Sequence, residues 1–138
     1  MSDFRFGRMR YLSPAEMGFN AVSQVGATTG STFDATGCNR MTLMVTHTNV
    51  DATGNLDLTV EAYDPGTEGW IVLNTASVSA GVQTMVDGTI RKASAGVSQS
   101  YEVRLTDLFF AKMRVKSALM TAASTDTLSI GAFLGYGA

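Results

Sequence analysis

The chain is poor in the residues from which active sites are most often assembled. It has one cysteine and one histidine in 138 residues, and charged side chains make up only 16%. A single cysteine, Cys38, excludes an intramolecular disulfide and any multi-cysteine zinc or iron–sulfur site. It reads as a small buried or half-buried residue rather than a reactive thiol. The histidine, His47, shares parity with Met41, Leu43 and Val45 in the run Met41–Thr48, which places it at the end of a core-facing row. A nucleophile–histidine pair would need it beside Cys38 or a serine, with a carboxylate to orient it, and no Gly-x-Ser-x-Gly signature supports that. Phosphate-loop and dinucleotide fingerprints are absent as well.

Asp51–Asp57 offers oxygen ligands, but it lacks both the EF-hand spacing and the late bidentate glutamate, so it reads as a hairpin turn. The carboxylates are too dispersed for a glycosidase-type acid pair. The sequence therefore predicts no cofactor, no metal and no enzymatic activity. A net charge of -2 and a pI near 5.2 argue against nucleic-acid binding by bulk phosphate neutralisation. No segment reaches the roughly 18 apolar residues of a membrane span, and MSDFRFGRMRYL has no signal-peptide core. The expectation is synthesis in the cytoplasm, without secretion by that route and without a membrane anchor.

What is present is period-two alternation. Leu56, Leu58, Val60 and Ala62 face one way and Asp57, Thr59, Glu61 and Tyr63 the other, the pattern of a strand with one buried side. Tyr101, Val103 and Leu105 alternate with Glu102, Arg104 and Thr106, and Met113 and Val115 with Lys112, Arg114 and Lys116. Less regular β-rich runs cover 41–48, 70–78, 82–86 and 127–136, with turn clusters at 49–55, 64–69, 87–88 and 122–126. Seven or eight such strands predict an all-β antiparallel β-sandwich, of jelly-roll or immunoglobulin-like layout, over residues 38–138.

Residues 1–37 show no comparable alternation and read as a separate N-terminal arm and irregular segment. Within it, Ser13-Pro14-Ala15-Glu16-Met17 predicts a short helical turn capped by Ser13 and ended by Gly18. The arm interleaves Arg5, Arg8 and Arg10 with Phe4, Phe6 and Tyr11, residue types enriched at protein–protein contacts. We read it as an intermolecular contact with too few charges for firm nucleic-acid binding.

Two further surfaces draw attention. In the closing run TLSIGAFLGYGA, Leu128, Ile130, Ala132 and Leu134 fill one face. The other carries Gly131, Phe133 and Gly135, which predicts close approach by another subunit. The row Lys112, Arg114 and Lys116 is explained by cross-strand pairing with Asp57 and Glu61 or with Glu102, or by docking on an acidic partner. Trp70 shares parity with Val72 and is expected in the core. Were it exposed, it would form an aromatic platform with Tyr63 and Tyr101 for a ligand-binding module.

The alternating strands at 56–63, 101–105 and 113–116, the turn-then-tryptophan passage 64–70 and the run 128–131 together resemble the small β-sandwich structural proteins of tailed-bacteriophage virions, especially capsid decoration or cement proteins. That resemblance implies a homo-oligomer, a trimer or similar assembly, seated on the major capsid protein at the virion surface and holding the shell together. The alternative is a carbohydrate- or receptor-binding sandwich of a phage tail or fibre.

Overall fold

The computed structural model describes residues 8–23, 26–48, 55–73, 75–79, 82–86, 89–93, 99–119 and 127–137. For 55–57, 75–79, 82–86, 89–93, 99, 101, 118 and 119 it describes the backbone course alone. The arm residues Phe4, Arg5 and Phe6, the turns at 49–54, 87–88 and 122–126, and the side chains of Asp57 and Tyr101 lie outside these limits.

The long strands are β5 (Cys38–Thr48), β6 (Asn55–Asp64), β11 (Gln99–Thr106), β12 (Lys112–Leu119) and β13 (Thr127–Tyr136). They form two antiparallel sheets packed face to face, as the alternation predicts. One sheet runs β1 (Arg8–Leu12), β13, β5, β11, with β2 (Val22–Ser23) also on β13. The other runs β10 (Thr89–Ala93), β6, β12, β3 (Thr28–Thr29), with β4 (Phe33–Asp34) on β12 and β7 (Gly69–Val72) on β6. β8 (Thr75–Ser79) and β9 (Val82–Val86) form a separate two-stranded ladder, with β8 lying beside β10. Thus β5 and β13 pair in one sheet while their chain neighbours β6 and β12 pair in the other, so the four strands fold over from one layer to the next.

The core lies between the layers. Met41, Leu43 and Val45 of β5 meet Leu58, Val60 and Ala62 of β6, Met113 and Val115 of β12, and Leu128, Ile130, Ala132 and Leu134 of β13, all essentially inaccessible. Full burial of each larger aliphatic side chain contributes about 1.5–3 kcal/mol. His47 is buried at the end of the β5 row, where parity puts it.

The described residues 8–23 and 26–37 close one flank of the sandwich. Phe19 O accepts from Ile130 N at 3.0 Å on one sheet, and Gly30 N donates to Val115 O at 2.8 Å on the other. Met17 and Phe19 plug the gap between these contacts, each buried to 1% exposure or less. The strands β2, β3 and β4 are two residues long, too short for any alternation to register in the sequence. The predicted helical turn is α1 (Pro14–Met17). Glu16 N donates to Ser13 Oγ, Ser13 N donates to the Glu16 carboxylate, and Gly18 ends the turn at φ +80°.

Candidate interaction faces

The outer face of the β1-β13-β5-β11 sheet gathers several residues singled out from sequence. Register places Tyr11, Phe133, Thr42 and Arg104 in one row across the four strands. On one side of it runs the row Met9, Gly135, Arg40 and Thr106, and on the other lie Gly131, Met44 and Glu102. Met9 is 63% exposed and Tyr11 48% on the edge strand β1, and Met44 is 42% exposed on β5, so apolar side chains stand open on this face. Arg40, Thr42, Glu102, Arg104 and Thr106 lie among them.

The glycines on this face are filled from within the chain. A Cβ on Gly131 would lie 2.7 Å from the Tyr11 hydroxyl and 3.3 Å from Leu12 O. On Gly135 it would lie 2.6–2.8 Å from the Arg40 side chain. Tyr11 also packs on Phe133, with ring centroids 4.8 Å apart, and the Arg40 guanidinium donates to Asn39 Oδ1 and Gly137 O. The absence of side chains on β13 is therefore accounted for by Tyr11 and Arg40, and the surface offered outward is theirs. Alternation along β1 sends Arg8, Arg10 and Leu12 to the opposite side from Met9 and Tyr11. There Leu12 is buried and Arg10 donates to Asp34 O at 2.6 Å.

A second face lies on the other sheet. Arg114 stands opposite Glu61 in the ladder, with Nε donating to Glu61 Oε1 at 2.7 Å, and Lys116 Nζ lies 4.0 Å from Glu61 Oε2. Cross-strand pairing thus holds for Glu61, whereas Glu102 pairs with Arg104 on its own strand at 2.6 Å. Trp70 departs from the core position expected of it. It faces outward opposite Tyr63, edge-on at 5.4 Å, and Arg114 lies 4.0 Å over its ring. Lys112 lies 4.7 Å over Tyr63. Val72, whose parity Trp70 shares, is 52% exposed on the edge strand β7, so parity with an apolar neighbour misread this strand.

A third feature escaped sequence reasoning. The β11–β12 connection holds Leu108 buried through Leu108 N donating to Asn39 O and keeps Phe110 half-buried, yet leaves Phe109 84% exposed. Asp107 before it adopts φ +58°, in the left-handed region. Beside Phe109 lies an open concavity of about 510 Å³, lined by Gly37, Cys38, Leu108, Phe110, Ala111 and neighbours. The signal available was an apolar triplet, Leu108-Phe109-Phe110, in a connection where polar residues are usual.

Cys38 and His47 end up at opposite ends of β5, roughly 30 Å apart at the rise of an extended strand. They form no nucleophile–base pair. Burial pushes the Cys38 thiol pKa up, despite contacts with Arg40 O and Gly135. Among the described residues no three histidine, cysteine or acidic side chains are grouped to hold a metal ion. No helix there is long and apolar enough to cross a membrane.

These elements define a small antiparallel β-sandwich. No protein-family model and no curated protein matches the chain. Among solved structures, it is similar in fold to the SPBc2 prophage-derived protein YomS, with a TM-score of 0.60 at 7% identity over 98% of this chain and 99% of that one. It is also similar to the VP2 protein of infectious bursal disease virus in its subviral particle, with a TM-score of 0.53 at 10% identity. That match covers 96% of this chain but 33% of VP2. A mutant VP2 in derived T=1 particles gives a TM-score of 0.54 at 6% identity, over 96% of this chain and 32% of VP2. The chain thus corresponds to the whole of YomS and to about a third of VP2.

Proposed function

We propose that the protein is a non-enzymatic structural protein of a virion, of the capsid decoration or cement kind, which binds the assembled head and stabilises it. The observation that carries this reading is the outer face of the β1-β13-β5-β11 sheet. It exposes Met9 and Tyr11 on β1 and Met44 on β5 beside Arg40, Glu102 and Arg104, a mixture of apolar and charged side chains such as contact surfaces carry. The virion setting is supported by fold similarity, end to end with a prophage-derived protein and in part with a protein of viral particles. Binding would be adhesive, through self-association and contacts to the major capsid protein at the particle surface, and multivalency would give avidity without one tight site.

The test is to purify particles of the encoding phage lacking this protein, add it back, and measure bound copies and the temperature at which the heads release their genome. Saturable binding with a higher release temperature is the expected result. A protein that neither binds the heads nor is found in native particles would overturn the reading.

The Tyr63–Trp70 pair favours a second reading, a carbohydrate- or receptor-binding module of a tail or fibre. Against it, Arg114 and Lys112 already lie over these rings. A glycan-array signal abolished by Tyr63→Ala would promote it over the first.

A further inference from the structure

We infer that the concavity beside Phe109 is a seat for the aromatic segment that precedes β1 in the same chain, with Phe4 packed against Phe109. The inference goes beyond the decoration reading and stands independently of it.

The place where β1 begins supports it. Its first residue, Arg8, lies opposite Tyr136 at the close of β13, and Tyr136 pairs on its other side with Cys38. Cys38, Gly37 and Gly137 line the concavity, so the chain joins the sheet at the end where the concavity opens. Arg10 ties the same strand to the segment leading into that lining, donating to Asp34 O at 2.6 Å. From β1 to β5, two strands away, the distance is roughly 10 Å, and four extended residues span roughly 13 Å, which brings Phe4 within reach. Gly7, immediately before Arg8, suits a turn off the line of β1 and across the end of β13.

Chemistry supports it as well. Leu108, Phe110 and Ala111 give the concavity apolar walls, and Phe109 stands 84% exposed beside them. The Asn39 side chain in the lining is already engaged, with Nδ2 donating to Gly137 O at 2.7 Å and Oδ1 accepting from Arg40 Nη1. The lining therefore favours an occupant that asks for no hydrogen bond, and a phenyl ring also gives Phe109 a stacking partner. At about 510 Å³ the space is that of an ordinary small-ligand cleft, ample for one ring. The short tether decides which copy supplies the ring. It gives Phe4 an effective concentration on the order of millimolar, which a separate molecule in dilute solution does not match.

A photoreactive p-benzoylphenylalanine in place of Phe4 reads both the contact and its source. An equal mixture of isotopically light and heavy full-length protein is irradiated, digested with trypsin and mapped by mass spectrometry. The expected links join the peptide of residues 1–5 to that of residues 105–112, always within one isotopic label. No links, or links only elsewhere, would overturn the inference, and mixed-label links would overturn it by giving the seat to the arm of a neighbouring copy. A double-mutant cycle on unfolding provides a second measurement, free of the bulky probe. Phe109 is exposed, so Phe109→Ala leaves the core intact and should matter only through what covers the ring. The expected coupling between Phe4→Ala and Phe109→Ala is about two- to ten-fold in the unfolding equilibrium constant. Strictly additive effects would overturn the inference.

Discussion

The Tyr11 hydroxyl occupies the space that a side chain on Gly131 would need, 2.7 Å from where its Cβ would stand. Strand β1 delivers Tyr11 there because Tyr11 is paired with Phe133, two residues along β13. Gly131→Ala should therefore lower stability by about 1–2 kcal/mol through overpacking. Much of that penalty should vanish in a Tyr11→Ala background, since the ring is half exposed and is the part that must move. A double-mutant cycle from urea unfolding measures the coupling. Additive effects would mean that Leu12 O, 3.3 Å away, sets the constraint instead.

Gly30 meets a harder limit. A Cβ there would lie 2.7 Å from Met17 O, 2.8 Å from Val115 O and 2.6 Å from the Phe19 ring, which is wholly buried. Backbone oxygens on both sides cannot swing away. Gly30→Ala should cost more than about 3 kcal/mol, beyond the range of ordinary substitutions, or prevent folding. An equilibrium unfolding midpoint close to that of the parent would refute the account.

How much of this was legible depended on strand length. β5, β6, β11, β12 and β13 run for 8 to 11 residues, enough for alternation to name both the buried row and the outward one. Leu128, Ile130, Ala132 and Leu134 lie in the core as that pattern requires. β2, β3 and β4 are too short for that, and Met17, Phe19 and Phe33 are buried at positions with no period. The Gly131 and Gly135 face showed that something approaches the backbone. It could not show that the approach comes from Tyr11 and Arg40, both a long sequence distance away, because that depends on which strand lies beside β13. Trp70 misled for a related reason, since parity fixes relative sides only, and edge strand β7 has little core to face.

Glu61 is 7% exposed and accepts from Arg114 Nε at 2.7 Å, while the Arg114 guanidinium lies over Trp70. Removing the carboxylate leaves a half-buried cation without its acceptor, so Glu61→Ala should lower stability by about 2–3 kcal/mol. Arg114→Lys should also destabilise, because an ammonium keeps the charge but loses the planar stack and the fixed donor geometry. Trp70 fluorescence should report the second change even where the urea midpoint shifts little. An unchanged emission spectrum in Arg114→Lys would argue that the stack does not form in solution.

Cys38 is 2% exposed and its thiol pKa is raised by burial. The thiolate is the reactive form, so a buried thiol with a raised pKa should label slowly. Iodoacetamide should modify Cys38 at a rate that follows global unfolding, rising with urea alongside the loss of tertiary signal. Rapid labelling of the native protein at neutral pH would show instead that the concavity beside Phe109 opens to Cys38.

Acid should destabilise the fold through three carboxylates. Glu16 is held below its ordinary pKa by Ser13 N and Ser13 Oγ, Asp34 by bonds from Thr36, and Asp64 by Gly66 N and the Thr67 hydroxyl. In each case the folded chain binds its proton at lower pH than the unfolded chain. The stability they add is therefore complete above the unfolded values, near pH 4. It drains away as pH falls through the lowered folded values. These three groups should leave the unfolding midpoint unchanged above about pH 5 and lower it below about 4. Glu16→Gln keeps an oxygen acceptor for Ser13 N but has no proton to bind, so it should flatten part of that acid slope while changing the neutral midpoint less. A Glu16→Gln protein with the parent's full acid slope would remove Glu16 from the set and leave Asp34 and Asp64 to account for it.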